Sequence, residues 1–225
     1  MIRVAITTDR FRAAAPAFHR LGLEAVGLPC IRVEPSDPGV LAQVREAAAL
    51  ADFLVITSVR TLDILWPDGS MPAVEVGAVG ERTAAAVAAR GGRVVLLGRS
   101  GLADLAQQMP GRLVSSRVVF PRAVGADQVA LELLRERATY LREFEVYRSV
   151  PVAPGSAPVD AAAFASPSAV EGWLVSRALD GIAVGVIGPT TREAVARHRP
   201  PDVVAALPSY QSLAQGLASH LEVAV

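Results

Sequence analysis

The order of apolar and polar residues shows one stretch in which a strand pattern, a turn and a helix pattern follow each other directly. It runs VGVIGPTTREAVA from Val184 to Ala196. A β-branched apolar run suits a buried strand, Gly188 and Pro189 interrupt it, and the residues that follow at helical spacing are Thr191, Ala194, Val195 and His198. The start of a helix offers unpaired backbone N–H groups and the positive end of the helix dipole. The stretch therefore predicts a strand-turn-helix unit that can hold an anion.

The same pattern occurs earlier in the chain, as VEVGAVGERTAAAVA from Val74 to Ala88. A constant shift of 108 residues superposes the two copies without a gap, and the matched pairs include Asp52 with Asp160, Ser58 with Ser166, Gly80 with Gly188, and Thr83 with Thr191. Convergence of two ordinary units is the alternative, but a register held over about 55 residues favours an internal duplication. The period is too long for a solenoid and suits two similar α/β lobes.

Strand and helix patterns alternate along the whole chain. Apolar runs predict strands or extended segments at 2–6, 23–33, 53–56, 94–97, 118–120, 144–150, 161–164 and 203–206. Helical stripes lie between them, among them Ala126, Val129, Ala130 and Leu133, and the segment 166–171 carries a Ser-x-x-Glu capping box. The length pattern of 2–35 returns from residue 117, so the chain reads as a, b, a′, b′. Alternating strands and helices imply parallel sheets with right-handed crossovers.

Composition excludes several classes of protein. The 225 residues are 52% hydrophobic, which indicates well-filled cores. Lys plus Arg and Asp plus Glu are both 22, so neither nucleic acid nor an anionic membrane is expected as the main partner. The lone Cys30 excludes an intrachain disulfide. No basic start followed by an apolar h-region precedes the first predicted strand, and no apolar run approaches about 20 residues. We expect a soluble, cytoplasmic protein.

The usual chemical motifs are missing, and polar turns remain. There is no Walker A sequence, no G-x-G-x-x-G and no H-E-x-x-H, so neither a nucleotide nor a metal is indicated. No nucleophile elbow is present, and Cys30 in its apolar run suits a core position. Parallel sheets bind ligands beyond the carboxyl ends of their strands. The turns expected there are Thr7–Thr8, Thr57–Ser58, Gly80–Thr83, Pro121–Arg122, Ser166–Ser168 and Gly188–Thr191.

Five short motifs together resemble the uroporphyrinogen-III synthase family. They are Ile56-Thr57-Ser58, Val79-Gly80 with Thr83-Ala84, Val146-Tyr147-Arg148-Ser149, Ala165-Ser166-Pro167-Ser168-Ala169-Val170 and Ile187-Gly188-Pro189-Thr190-Thr191. Each is weak alone, but their order, spacing and the chain length agree with the family over nearly the whole chain. The resemblance implies two interleaved α/β domains, 1–32 plus 152–225 and 37–146, joined by extended linkers at 33–36 and 147–151. Paired linkers form a hinge, so a cleft between domains could open and close.

The implied activity is that of a lyase of porphyrin and haem biosynthesis. The family closes hydroxymethylbilane, a linear tetrapyrrole with eight carboxylates, and inverts its ring D to give uroporphyrinogen III and water. The resemblance implies that no cofactor is needed and that the protein favours a spiro intermediate by holding a geometry. The substrate would be bound by helix starts and polar side chains, here Thr7, Ser58, Thr83, Arg122, Arg148, Ser166, Ser168, Thr190 and Thr191. We expect a monomer.

Tyr147 matches the family's recurring cleft tyrosine and is the candidate catalytic residue. A phenol is protonated at neutral pH and can donate to the departing hydroxyl. The alternative is an aromatic that packs a linker. Thr83 and Thr191 could equally be plain helix caps, and Arg122 and Arg148 could pair with carboxylates or be solvated.

Two other functions fit parts of the sequence. A non-catalytic, two-lobed sensor of small ligands would explain the duplication and the cleft, but it would not explain the ordered motifs. A divergent relative of the synthase that has lost activity is a third interpretation. The segment from Trp66 to Pro72 and the arginines Arg197 and Arg199 follow no pattern that we can assign.

Overall fold

The computed structural model describes residues 1–109, 116–125 and 128–223. Within these ranges the chain forms two compact units, unit 1 (Met1–Val33 with Ser149–Val225) and unit 2 (Glu34–Arg148). Each unit has a sheet flanked by helices. Unit 1 combines the beginning and the end of the chain, whereas unit 2 is the continuous segment between them. The predicted α/β class, with two similar lobes interleaved in sequence, is confirmed.

In the described part of unit 1, five strands form one sheet in the order β11-β10-β9-β1-β2, and all neighbours run parallel. Its strands are β1 (Arg3–Ile6), β2 (Glu24–Gly27), β9 (Ala161–Phe164), β10 (Ala183–Val186) and β11 (Val203–Val204). Its helices are α1 (Phe11–His19), α7 (Pro167–Leu174), α8 (Pro189–Ala196) and α9 (Tyr210–His220). The predicted segments 2–6, 161–164 and 203–206 coincide with or contain β1, β9 and β11.

Both faces of this sheet are covered, which explains why its strands are continuous apolar runs. Successive side chains of a strand point to opposite faces. Accordingly Val4 and Ile6 pack on the side of α1 and α9, whereas Ala5 packs on the side of α7 and α8. Phe164 and Trp173 meet edge to face on the α7 side, with ring centroids 5.7 Å apart.

Unit 2 has the same core order of strands with one addition. In its described residues the sheet runs β3-β8-β7-β4-β5-β6. The strands are β3 (Ile31–Pro35), β4 (Phe53–Ile56), β5 (Glu75–Val79), β6 (Arg93–Gly98), β7 (Arg117–Ala123) and β8 (Tyr140–Pro151). The helices are α2 (Pro38–Ala49), α3 (Val59–Leu65), α4 (Glu81–Ala88), α5 (Leu102–Gln108) and α6 (Gln128–Arg137).

The two copies of the repeated segment fold alike within their own sheets. Phe53 pairs with Glu75 in unit 2, and the residues 108 positions later, Ala161 and Ala183, pair in unit 1. Helices α4 and α8 likewise coincide under this shift at both ends. A bulge after Val76 displaces β6 by one residue, and this is a local difference in register between the copies.

Asp52 and Asp160 occupy the same structural position at the amino end of the sheet. The carboxylate of Asp52 accepts hydrogen bonds from the backbone N–H and the guanidinium of Arg117, at 2.8 to 3.2 Å. Asp160 accepts from the backbone N–H of Arg3 at 2.7 Å. In each unit the aspartate directly precedes one strand and binds the first residue of the neighbouring strand. The match between the two aspartates therefore has a structural cause.

The chain passes from one unit to the other within strands β3 and β8. Backbone hydrogen bonds join these two strands at both ends of their pairing. Ser36 donates its N–H to the carbonyl of Val146 at 3.0 Å, and Val152 donates to that of Cys30 at 2.9 Å, so the strands run antiparallel. Gly172 of α7 lies against the Cys30 end: a Cβ there would be 2.0 Å from the Cys30 oxygen. The linker limits implied by the resemblance, 33–36 and 147–151, remain a prediction.

Three local expectations were wrong. Val129 is 74% exposed, because the buried positions of α6 are Ala130, Leu131 and Leu134; Ala126 lies outside the described residues. Ser168 does not begin a capping box, since the residue that caps α7 is Ser166. His198 lies beyond the last residue of α8 and is exposed.

Candidate functional site

Three candidate residues follow the carboxyl ends of strands in the sheet of unit 1. Thr7 follows β1, and Ser166 and Ser168 follow β9. Ser166 accepts a hydrogen bond from the N–H of Ala169 at 3.3 Å and lies 3.2 Å from the hydroxyl of Ser168. Both serines are half-buried. Thr7 is fully buried and donates its hydroxyl to the carbonyl of Ala163 at 2.7 Å, which braces β1 against β9. Contact between these three residues and substrate stays a prediction.

The turn after β10 has an accessible backbone. Gly188 is the N-cap of α8 and is extended, with φ −177° and ψ −177°, and among the described residues no atom lies within 4 Å of where its Cβ would be. Thr190 is exposed at the second helical position, and Thr191 is 1% exposed at the third. The idea that Thr191 caps the helix is therefore wrong. A Gly without a neighbour at this point leaves room for a ligand against the helix start.

In unit 2 the corresponding carboxyl edge carries Ser58 and Thr83. Ser58 is the N-cap of α3 and accepts from the N–H of Arg60 at 3.2 Å. Thr83 is buried at the third position of α4, whose N-cap is Gly80, so Thr83 does not cap the helix either. The two threonines aligned by the repeat are thus both buried at the third position of their helices.

The two repeated turns differ in backbone and in charge. Gly80 has φ +80° and ψ 146°, a conformation that only glycine adopts readily, whereas Gly188 does not need to be glycine. The first turn of α4 also contains Glu81, and the first turn of α8 has no acidic residue. Because a carboxylate already lies at the positive end of α4, α8 offers the better site for an added anion.

Tyr147 lies near the end of β8 and is 7% exposed. Its carbonyl accepts a hydrogen bond from the N–H of Val124 at 2.9 Å, and its partner in register is Ala123 of β7. The guanidinium carbon of Arg60 lies 5.7 Å from the centre of its ring. Sequence analysis missed this neighbour, since residues 60 and 147 are far apart in the chain and neither motif indicates the other.

The two candidate arginines are engaged by carboxylates of the protein itself. Arg122, with a side chain 13% exposed, contacts Glu143 at 3.1 Å and Glu145 at 2.8 Å. Arg148 contacts Glu34 at 2.7 Å and is 65% exposed. Both arginines are thus paired with carboxylates of the protein, and the Arg148 side chain is in addition largely exposed to solvent. Binding of substrate carboxylates by either arginine stays a prediction.

Three further features of the described residues concern metals, the cysteine and membranes. No cluster of three or more His, Cys, Asp or Glu that could hold a metal is found in the parts of the chain that the structure describes. Cys30 is fully buried, and burial raises the pKa of its thiol to about 12, so it is a neutral core residue. Across the described ranges, no helix is long and apolar enough to cross a membrane.

The sequence matches the family model of uroporphyrinogen-III synthase HemD over residues 12–215. The chain belongs to the uroporphyrinogen-III synthase family. A sequence comparison with the curated proteins finds no significant match. The resemblance inferred from the five motifs is therefore confirmed by a model that covers most of the chain.

Solved uroporphyrinogen-III synthases share the fold. A mutant enzyme from the extremely thermophilic bacterium Thermus thermophilus superposes with a TM-score of 0.62 at 17% identity, over 99% of each chain. The wild-type enzyme of the same bacterium gives 0.52 at 19% identity, over 99% of this chain and 98% of that one. The uroporphyrinogen-III synthetase of Helicobacter pylori gives 0.67 at 16% identity, over 98% of this chain and 100% of that one. At these identities the likeness shows the fold alone.

The synthase function expected from the motifs is the one that the family match supports. The alternative, a non-catalytic sensor of small ligands, is not favoured. The family match thus places the chain in porphyrin biosynthesis.

Proposed function

We propose that the chain is an active uroporphyrinogen-III synthase that closes hydroxymethylbilane with inversion of ring D. The observation that carries this proposal is the family match over residues 12–215. The reaction releases one water and needs no change of oxidation state, so it can run on acid–base chemistry and positioning alone. We classify it accordingly as a lyase and expect it to act without a cofactor.

The linear substrate carries eight carboxylates, whereas the chain has no net charge. Local donors must therefore hold the substrate. Helix starts supply such donors without adding charge, and we propose the starts of α3, α7 and α8 as carboxylate sites. The first turns of all three lack acidic residues, and Gly188 leaves the start of α8 open. The remaining predicted contacts, Thr7, Thr83, Arg122 and Arg148, are secondary in this proposal because the structure gives them buried or paired positions.

Tyr147 is the proposed donor to the departing hydroxyl, which then leaves as water. The resulting cation can be attacked by the substituted carbon of ring D, and the spiro intermediate fragments and recloses. The proton lost from the pyrrole carbon at the final ring closure restores the phenol. Since hydroxymethylbilane also closes without an enzyme to the type I isomer, the protein must favour one geometry over another. Its main contribution is orientation, and proton donation adds to the rate.

We also propose a cytoplasmic, monomeric protein that arose by internal duplication. The location rests on the single cysteine in a chain of 225 residues, which is usual in a reducing compartment. The duplication rests on the shift of 108 residues that relates Phe53 and Glu75 to Ala161 and Ala183, pairs with the same register. Size-exclusion chromatography with light scattering would test the monomeric state.

The test is to supply freshly prepared hydroxymethylbilane and to separate the uroporphyrinogen isomers after oxidation. We expect predominantly type III product with the protein and type I product in a blank with heat-denatured protein. The same isomer ratio in both samples would reject the function. A protein that binds the substrate but leaves the ratio unchanged would instead be a relative that has lost activity.

A further inference from the structure

We propose that Arg60 is a positioning residue, which holds the ring of Tyr147 so that its hydroxyl stays in one place. The inference rests on the proposed role of Tyr147 in the synthase reaction. It begins from the contact of the Arg60 guanidinium with the face of that ring, 5.7 Å from carbon to centroid. An arginine over an aromatic face is attracted by the ring quadrupole, most strongly where water is excluded.

The strand order of unit 2 explains how the two residues meet. Tyr147 is on β8, and Arg60 follows β4, with β7 between these strands. Neighbouring strands are about 4.8 Å apart, so the side chain has to cross roughly 10 Å of sheet. Only a long side chain at the start of α3 can do so, and arginine adds a planar group that can lie on a ring.

The backbone at both residues is fixed by hydrogen bonds. The N–H of Arg60 donates to Ser58, the N-cap of its helix, at 3.2 Å. On β8, the Tyr147 carbonyl accepts from Val124 at 2.9 Å, and the carbonyl of Val146 accepts from Ser36 at 3.0 Å. What remains adjustable is rotation of the Tyr147 side chain about its own bonds. A cation on one face of the ring removes part of this freedom, so the phenol is ordered before substrate arrives.

Arg60 also joins two predicted parts of the site. Its N–H is bound by Ser58, a predicted substrate contact, and its guanidinium lies on the predicted proton donor. A movement of the start of α3 would therefore be passed to the ring. This arrangement makes Arg60 a residue that acts through Tyr147, which separates it from residues that bind a carboxylate directly.

Solution NMR tests the contact independently of activity. The chain has three tyrosines, so ring-labelled tyrosine gives few signals, and Tyr147→Phe assigns the one of interest. We expect Arg60→Gln to shift the ring signals of Tyr147 and to leave those of Tyr140 and Tyr210 in place. If the Tyr147 signals do not move, the contact is absent in solution and the proposal is rejected, whatever the protein catalyses.

Kinetics then test the role. Arg60→Gln should lower kcat by roughly 3- to 30-fold, the range of a cation–π contact, with little change in KM. Arg60→Lys keeps the cation and should restore part of the loss. In a Tyr147→Phe background the hydroxyl is gone, so the change at residue 60 should have no further effect on kcat.

A matched control is available in the same unit. Arg142 lies over the ring of Phe144, 5.0 Å from its centre, in the amino-terminal half of β8, and neither residue is among the predicted site residues. Arg142→Gln removes the same kind of contact and should leave kcat and the isomer ratio unchanged. Both glutamine variants should be compared by thermal melting, so that loss of fold is separated from loss of positioning.

Two kinetic outcomes would overturn the proposal that Arg60 positions Tyr147. A rise in KM that persists in the Tyr147→Phe background would mean that Arg60 binds substrate itself. Equal losses from Arg60→Gln and Arg142→Gln, each with a lower melting temperature, would mean a general structural role. If the wild-type protein gives no type III product, the proposed function fails, and the NMR experiment still decides whether Arg60 orders the ring.

Discussion

A matched pair of substitutions at the two repeated turns tests whether the start of α8 binds a substrate carboxylate. Gly188→Ala adds a methyl group where, within the described residues, no atom lies within 4 Å, and the extended backbone there suits any residue. Gly80→Ala adds the same methyl group in equally open space but at φ +80°. The first change should therefore disturb only an approaching ligand, whereas the second should disturb the fold.

The expected magnitudes follow from these backbone angles. An alanine at the angles of Gly80 is strained by about 1–3 kcal/mol. In a chain of this length 1 kcal/mol corresponds to roughly 2–4 °C, so the melting temperature should fall by about 2–12 °C. At Gly188 the weaker N-cap, about 0.5–1 kcal/mol, is offset by the stiffer unfolded chain, about 0.4–1 kcal/mol. Its melting temperature should stay within about 2 °C of wild type.

The assay measures isomer ratio, kcat and KM with hydroxymethylbilane, together with the melting temperature. A methyl group that keeps a carboxylate from the backbone N–H groups of α8 would remove charge-assisted hydrogen bonds worth about 1.5–3 kcal/mol. Gly188→Ala should therefore raise KM by roughly 10- to 100-fold in a protein of normal stability. If it keeps the wild-type KM and isomer ratio, no substrate group approaches this turn, and the anion site must be sought elsewhere.

Three further predictions concern the donor, a close contact and an ion pair. Tyr147→Phe should lower kcat by roughly 100-fold with little change in KM, and full turnover would reassign Tyr147 to packing. Gly172→Ala places a Cβ 2.0 Å from the carbonyl oxygen of Cys30 and should lower the melting temperature by several degrees or prevent folding. Gly155→Ala, whose Cβ would lie 3.8 Å from the nearest atom, should not, and equal melting of the two variants would contradict the close contact. Hydrogen bonds from Arg117 lower the pKa of Asp52 to about 2 from its usual 3.8, so the pair should stabilise the fold above about pH 4 and lose its effect as the pH falls through 2. Asp52→Asn should therefore be less stable than wild type at neutral pH but not near pH 2, and a constant difference between them would refute this.

Local pattern was a good guide wherever burial alone decides the structure. Strands β4 and β9 were predicted to the residue, because four consecutive apolar side chains fit a strand covered on both faces. Helices α4 and α8 coincide under the shift of 108 residues that the sequence shows, and a glycine precedes each of them. The fold class followed from these repeated, locally specified units, and the family followed from the resemblance of the five motifs.

Pattern was a poor guide where two faces of a helix are both partly apolar. The stripe through Val129 was chosen for α6, but the packed face contains Leu131 and Leu134. Because apolar residues occur on both faces of α6, the sequence alone allows either face to be buried. Packing within the folded unit determines which face is buried. The capping residues were misjudged for a similar reason: Gly80 and Gly188 start their helices without a side-chain hydrogen bond, so no polar side chain marks the boundary.

By itself the sequence determined most of the segments that form strands and helices, the recurrence of one pattern after 108 residues, and which polar turns follow the strands. These properties depend on neighbours within one or two turns or strands, and the periods of 2 and 3.6 residues record them. Only the tertiary structure showed which carboxylates pair with Arg122 and that the Arg60 guanidinium lies over the ring of Tyr147. It also showed that Gly80 has a positive φ, which favours glycine, whereas Gly188 has an extended backbone. Those facts depend on strand order and on contacts between residues far apart in the chain, which no local pattern contains.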